Sequence, residues 1–327
     1  MFLYIFLLLS VKTSSFTSRK IQAKTRNELP KILFHTLVLL IAGMSLWNPS
    51  WGAEDPAIVL RSSYQEFLAG NQRPADLPIQ VFSADREGIL EAKIHAVMHR
   101  DFSSLAEILS SPANWCELVP VVLNVKACTW QTGANTTQLT FYVGRKFYEP
   151  PEKAYKLNYA FILKAFRDDY FHIVLVAEEG PLGTSDYLLE VEAIDLSGKT
   201  FLAVRTSYRS SAISRFGTRG YLATLGRDKI GFTITGGDAD NPEYIQGIRG
   251  IVERNAVRYY LALQAFLETQ HLQPDLRFAA AAELWYDLTE QFHDQLYEMD
   301  RAAYLDIKRR ERVQQLRLQK ETQEKQK

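Results

Sequence analysis

Apolar and polar residues alternate over GILEAKIHAVMHRD, with Leu90, Ala92, Ile94, Ala96 and Met98 on one face and Glu91, Lys93 and His95 on the other. That period of two is the mark of a half-buried strand. It returns in VVLNVKACTWQT, QLTFYVGRKFYE, YKLNYAFILKAF, FHIVLVAEE, SDYLLEVEAIDL and KTFLAVRTSYRS. Turn residues separate these runs: Gly133-Ala-Asn135, Glu149-Pro-Pro151, Arg167-Asp-Asp169, Gly180-Pro-Leu-Gly183 and Ser197-Gly198. Connections this short join antiparallel neighbours, so the pattern predicts a meander of about six to seven strands.

The period changes on either side of the meander. A short helix is predicted over Ser62 to Ala69, and two more over DFSSLAEILSSPANWCELVP, the second opened by Ser111 and Pro112 as N-cap and first helical residue. SAISRFGTRGYLATLGRDKIGFTITGG is punctuated by glycine and suggests a helix around Arg215 to Leu225. The long helix follows in YIQGIRGIVERNAVRYYLALQAFLET, where Ile248, Val252, Tyr259, Ala262, Leu263 and Phe266 form one stripe containing Asn255 and flanked by Arg254 and Arg258. A further helical stretch carries Phe278, Trp285, Phe292, Tyr297 and Tyr304. The tail VQQLRLQKETQEKQK lacks an apolar heptad and is expected to fray. The class is α+β. The expected divisions are a leader over 1–53, a helix and loop over 54–87, a sheet-and-helix domain over 88–269, and a helical extension with a charged tail over 270–327.

Charge separates the leader from the rest. The first 52 residues hold six bases (Lys12, Arg19, Lys20, Lys24, Arg26 and Lys31) and one acid, Glu28, leaving 32 basic and 37 acidic residues beyond them. The remainder is therefore no polyanion binder, and no nucleic-acid partner is expected. ILFHTLVLLIAGMSLW is apolar but short of the roughly 20 residues of a membrane span. With Ser50 and Gly52 behind it, this run reads as a secretory signal cleaved near Gly52 or Ala53. The second apolar run, MFLYIFLLLSV, keeps an uncleaved anchor open as the one route to the membrane. Export to the periplasm or beyond makes a structural disulfide between Cys116 and Cys128, the sole cysteines, the expected state.

The stretch SPANWCELVP, with Ser111, Pro112, Trp115, Glu117 and Pro120 in place, resembles the segment that ends the helical insert of the START-like (SRPBCC) superfamily. NWC…LNVKAC, GPLGTSDY, YLATLGRDKIGFT and RGIVERNAVRYYLALQAFL are similar to an uncharacterised exported bacterial group within it. The likeness spans Gly88 to Thr269. It implies a helix-grip fold, in which a curved antiparallel sheet wraps a long helix and holds an apolar ligand between them, as polyketide cyclases and relatives of the birch-pollen allergen do. A lipid or other hydrophobic small molecule is the partner so implied, in a protein that binds without turning over. A cyclase- or hydrolase-type enzyme using the same cavity, and an envelope interaction protein with a filled grip, are the alternatives.

Motifs for chemistry are sparse. No H-E-x-x-H, G-x-S-x-G, P-loop or dinucleotide fingerprint occurs, and two cysteines without clustered histidines do not make a metal site. No catalytic residue, metal or cofactor is assigned. His95 on a polar strand face reads as a solvated imidazole. The cavity candidates are Tyr159, Phe161, Tyr187 and Tyr208 on strand faces, and Arg254, Asn255, Arg258 and Tyr259 on the long helix. Most of the aromatic residues are expected to be core, and a lined cavity would use the same residues with less filling between them. Arg254 and Arg258, one turn apart, repel each other unless acids of the sheet or Glu253 offset them, or unless they hold an anionic or carbonyl headgroup. Arg205 and Arg209 pose the same question on the sheet.

Overall fold

The computed structural model describes residues 54–70, 79–133, 136–224, 226–238 and 240–325, so the leader read over 1–53 lies outside the described residues. Eight strands form one antiparallel sheet: β1 (Ile79–Arg86), β2 (Ile89–Met98), β3 (Val125–Thr132), β4 (Thr137–Val143), β5 (Tyr155–Phe166), β6 (Tyr170–Glu179), β7 (Ser185–Asp195) and β8 (Thr200–Arg209). Their order is β1-β2-β8-β7-β6-β5-β4-β3. Helix α1 (Pro56–Gly70) precedes them, and α2 (Phe102–Ser110) and α3 (Pro112–Leu118) lie between β2 and β3. After β8 come α4 (Ala212–Ala223), a small hairpin of β9 (Ile234–Gly237) and β10 (Pro242–Tyr244), and the long helix α5 (Gly247–Glu268). Helices α6 (Pro274–Glu290), α7 (His293–Leu296) and α8 (Arg301–Glu324) end the chain. This is an α+β fold consistent with a helix grip.

The sheet is larger than the six to seven strands expected. The extra strand is β1, inside the segment read as loop, and it pairs with β2 through a turn in which Glu87 (φ 51°) and Gly88 (φ 83°) are both left-handed. Inward positions explain the miss. Ser83 and Asp85 stand where an apolar alternation is sought, because they bind the helices: Ser83 Oγ lies 2.5 Å from Glu253, and Asp85 pairs with Arg215 at 2.9 Å.

One face of the sheet carries the main core. Leu90, Ala92, Ile94 and Ala96 of β2 are fully buried there, as the alternation requires, together with Ile173 and Leu175 of β6 and Val257, Leu261 and Ala265 of α5. On the other face Ala57, Leu60 and Phe67 of α1 cover Tyr170, Ile194 and Phe201. His95 is on this face too, between the rings of Phe82 and Phe201 at 5.5 Å each, and is not the solvated imidazole expected. Burial, helped by Lys93, pushes its pKa down to about 4. Arg205 faces outward and pairs with Glu190 and Glu91, and Arg209 pairs with Asp186.

The helical insert is tied to both the sheet and the C-terminus. Pro112 opens α3 as expected, although Ser111 makes no side-chain capping bond. Trp115 is buried and donates to Leu109 O at 2.8 Å, while Glu117 pairs with Arg312 of α8 at 2.7 Å. The disulfide Cys116–Cys128 joins α3 to β3 with the Cα atoms 4.8 Å apart.

Through Glu324 the tail does not fray. It continues α8 along β3, an edge strand of the sheet, on a polar stripe. Tyr304 Oη donates to Val121 O, Gln315 bridges Cys116 O and Cys128 N, and Gln319 bonds both N and O of Trp130. Each glutamine amide supplies a donor and an acceptor, as a neighbouring strand would. An apolar heptad was the wrong signal to seek, since backbone polar groups are what the helix covers. No described helix is long and apolar enough to cross a membrane.

Two outcomes are expected. Denatured, unreduced protein should show no free thiol by thiol titration, and reduction should cost about 3 kcal/mol for a loop of this length. Gln315→Leu should lower urea-unfolding stability by about 1–3 kcal/mol, because it strands buried backbone groups.

Candidate functional site

The sheet brings Tyr159 (β5), Tyr187 (β7) and Tyr208 (β8) onto the face that α5 covers with Tyr259. Alternation puts them there, because each shares its strand's core-facing register with Leu157, Leu189 or Val204. Tyr187 and Tyr208 stack at 5.2 Å, and Tyr159 packs on Phe141 at 4.8 Å. Gly180 makes room for Tyr187, since a Cβ there would lie 2.2 Å from its ring, and Thr184 Oγ1 holds the Tyr187 hydroxyl at 2.7 Å. Phe161 lies half-buried on the same strand face as Tyr159.

Burial raises the pKa of all four phenols, that of Tyr187 to about 12, and the neighbouring phenols act on one another. They are therefore neutral at physiological pH. Tyr187, Tyr208 and Tyr259 nevertheless keep accessible surface. On this face Tyr259, Tyr260 and Leu263 of α5, Leu189, Val191 and Val204 of the sheet, and Trp115 of the insert line a cavity of about 20 Å³.

Arg254 and Arg258 occupy a second place. Both are about 3% exposed, and both donate Nη2 to Glu298 Oε1, at 2.8 and 2.7 Å. Lys146, from the β4–β5 connection, bonds the same oxygen, and Lys229 stands 3.7 Å from Oε2. The offsetting acid is therefore Glu298, between α7 and α8, rather than Glu253 or an acid of the sheet. Glu253, fully buried, accepts instead from Phe232 N, Thr233 N, Thr233 Oγ1 and Ser83 Oγ. Asn255 is half-buried and makes no hydrogen bond to the Glu298 group among the described residues.

The electrostatics of the group are lopsided. Burial by itself would raise the Glu298 pKa, but Arg258, Lys146, Arg254 and Lys229 outweigh it and hold the carboxyl far below its usual range. Burial and then Arg258 lower Lys146 to about 7, and burial lowers Lys229 as well. Sequence reasoning found the two arginines by their helical spacing. It missed Glu298, Lys146 and Lys229, which lie singly in connections and carry no periodic signal. No group of three or more potential metal ligands occurs among the described residues.

Glu298→Gln should destabilise the fold by about 3 kcal/mol in urea titrations, the cost of leaving buried charges unpaired. Because the folded carboxyl is the stronger acid, this contribution is present above the ordinary pKa of 4.5 and is lost as pH falls below it. Stability of the wild type should therefore fall through that window more steeply than that of the variant.

No family model and no curated protein matches the chain. Among solved structures it is similar to a conserved protein of unknown function from Enterococcus faecalis, with 8% identity, TM-score 0.32, and 65% of this chain and 92% of that one covered. A protein from Arthrobacter aurescens is similar at 12% identity and TM-score 0.32, with 60% and 99% covered. The Zhui aromatase/cyclase of a Streptomyces species is similar at 11% identity and TM-score 0.30, with 63% and 94% covered.

Proposed function

We propose that the chain is an exported helix-grip protein of the START-like type that binds a lipid or other apolar small molecule between the sheet and α5. The observation that carries this reading is the small cavity that α5, the sheet and the insert line with Tyr259, Tyr260, Leu263, Val191 and Trp115. Its lining supplies apolar surface, and the neutral phenol of Tyr259 supplies a hydrogen bond to a hydroxyl or carbonyl of the ligand. The buried disulfide accords with an oxidising compartment.

The cavity of about 20 Å³ holds no more than a water molecule, whereas small-molecule pockets run to roughly 300–1,000 Å³. Ligand entry on this reading requires the wall to open.

Protein purified from an exporting host should release an apolar compound on solvent extraction, detectable by native mass spectrometry. The emptied protein should bind the neutral dye N-phenylnaphthylamine saturably. Val191→Trp, which fills the 20 Å³ cavity at a cost of about 1–3 kcal/mol, should weaken dye binding about tenfold or more while circular dichroism stays native. A protein without extractable ligand or saturable dye binding would be the filled-grip alternative.

A further inference from the structure

Two groups of buried charge invite comparison. In the first, Lys126 and Lys308 share Glu311, and each ammonium also has two carbonyl acceptors: Leu123 O and Phe147 O for Lys126, Val122 O and Val125 O for Lys308. Glu311 Oε1 stands 2.9 Å from Lys126 Nζ as an ion pair but accepts no hydrogen bond among the described residues, and the excess is a single positive charge. That group is an internal brace whose charges are nearly balanced.

The Glu298 group is neither saturated nor balanced. Four cations, Lys146, Lys229, Arg254 and Arg258, surround one carboxylate. Glu298 Oε1 takes three of them, and Oε2 has only Lys229 at 3.7 Å. Arg254 Nη1 is buried and has no hydrogen-bond partner among the described residues, in a side chain about 3% exposed. A stranded guanidinium donor is costly, and a structural ion-pair network would be expected to close on it. The lysine side chains are about a quarter exposed, against 3–4% for the arginines. Ammonium groups thus meet the solvent and guanidinium groups form the floor.

We propose that this group is a binding site for a phosphate group, free or carried on a larger molecule, seated against Arg254 Nη1 and between the two lysines. A carboxylate would bring one negative charge to an excess of three. A phosphate brings nearly two, with three oxygens suited to guanidinium donors. The Tyr221 phenol lies within electrostatic reach of Arg254, Arg258 and Glu298 and is the remaining titratable group at the site. Lys146, at about 7, is part-deprotonated in the empty site and takes up a proton when the anion arrives. The site does not depend on the cavity beside Tyr259 and Tyr260 or on an apolar ligand.

The test is calorimetric titration of the full protein with inorganic phosphate at pH 7 and constant ionic strength, in buffers of different ionisation enthalpy. Saturable one-to-one binding is expected. Lys146→Gln and Lys229→Gln, at partly exposed positions that tolerate substitution, should each weaken it roughly tenfold. Glu298→Gln, which removes the competing carboxylate, should tighten it and regain thermal stability on adding phosphate but not chloride. A purely structural group would lose stability in Glu298→Gln without that rescue. Flotation with phosphatidylcholine vesicles containing phosphatidate separates the two sources. Flotation abolished in the Lys146→Gln/Lys229→Gln double variant assigns a lipid headgroup, and phosphate binding without flotation assigns a soluble phosphate. Phosphate heat that is absent from both wild type and Glu298→Gln, or that is unchanged in the double variant, overturns the proposal.

Discussion

A charge taken out of water has to find a partner, and α5 takes three of them inside: Glu253, Arg254 and Arg258 are each at most 3% exposed. The same helix must also cover the apolar face of the sheet. Its polar obligations are met by segments far away in sequence, and these fix the arrangement around it. Glu253 gathers the amides of Phe232 and Thr233 and the hydroxyl of Ser83, which ties the chain before the small hairpin, and β1, to the helix. The approach is close enough that Gly231 has no room for a side chain: a Cβ there would stand 2.7 Å from both Glu253 and Ile245. Arg254 and Arg258 draw in Glu298, and the C-terminal helices come with it. Trp285 Nε1 on Arg258 O and Tyr286 Oη on Met299 O hold that segment in place.

The sheet has two free edges, and both are closed by side chains rather than by strands. At β1, Arg249 bonds Ser83 O and Thr233 bonds Val81 O; at β3, Gln315 and Gln319 reach the backbone from α8. Unpaired edges invite association with other chains, and side-chain closure removes that template. The disulfide works on the same edge. It fixes α3 to β3 where Gln315 spans Cys116 O and Cys128 N, so covalent and hydrogen-bonded closure reinforce one another.

The tyrosines of the sheet face pack on aromatic neighbours, Tyr187 on Tyr208 and Tyr159 on Phe141. The cations around Glu298 belong to the meeting of α5 with three connections. Arg254 and Arg258, read from the sequence as candidate headgroup contacts, each donate Nη2 to Glu298 Oε1.

Much of the fold was legible because burial on one face imposes a period. Seven of the eight strands, the long helix and the Ser111–Pro112 start of α3 follow from spacing alone, and the pairing of two lone cysteines follows from their number and the expected compartment. Positions governed by polar partners were not legible. Ser83 and Asp85 disguised β1, the glutamines of α8 read as a solvated tail, and Glu298, Lys146 and Lys229 stood as isolated charges in connections. A hydrophobic contact needs only a face, so it leaves a repeat in the sequence. A buried ion pair or an edge-closing amide needs one particular atom at hydrogen-bond distance, and only the tertiary structure decides which residue supplies it.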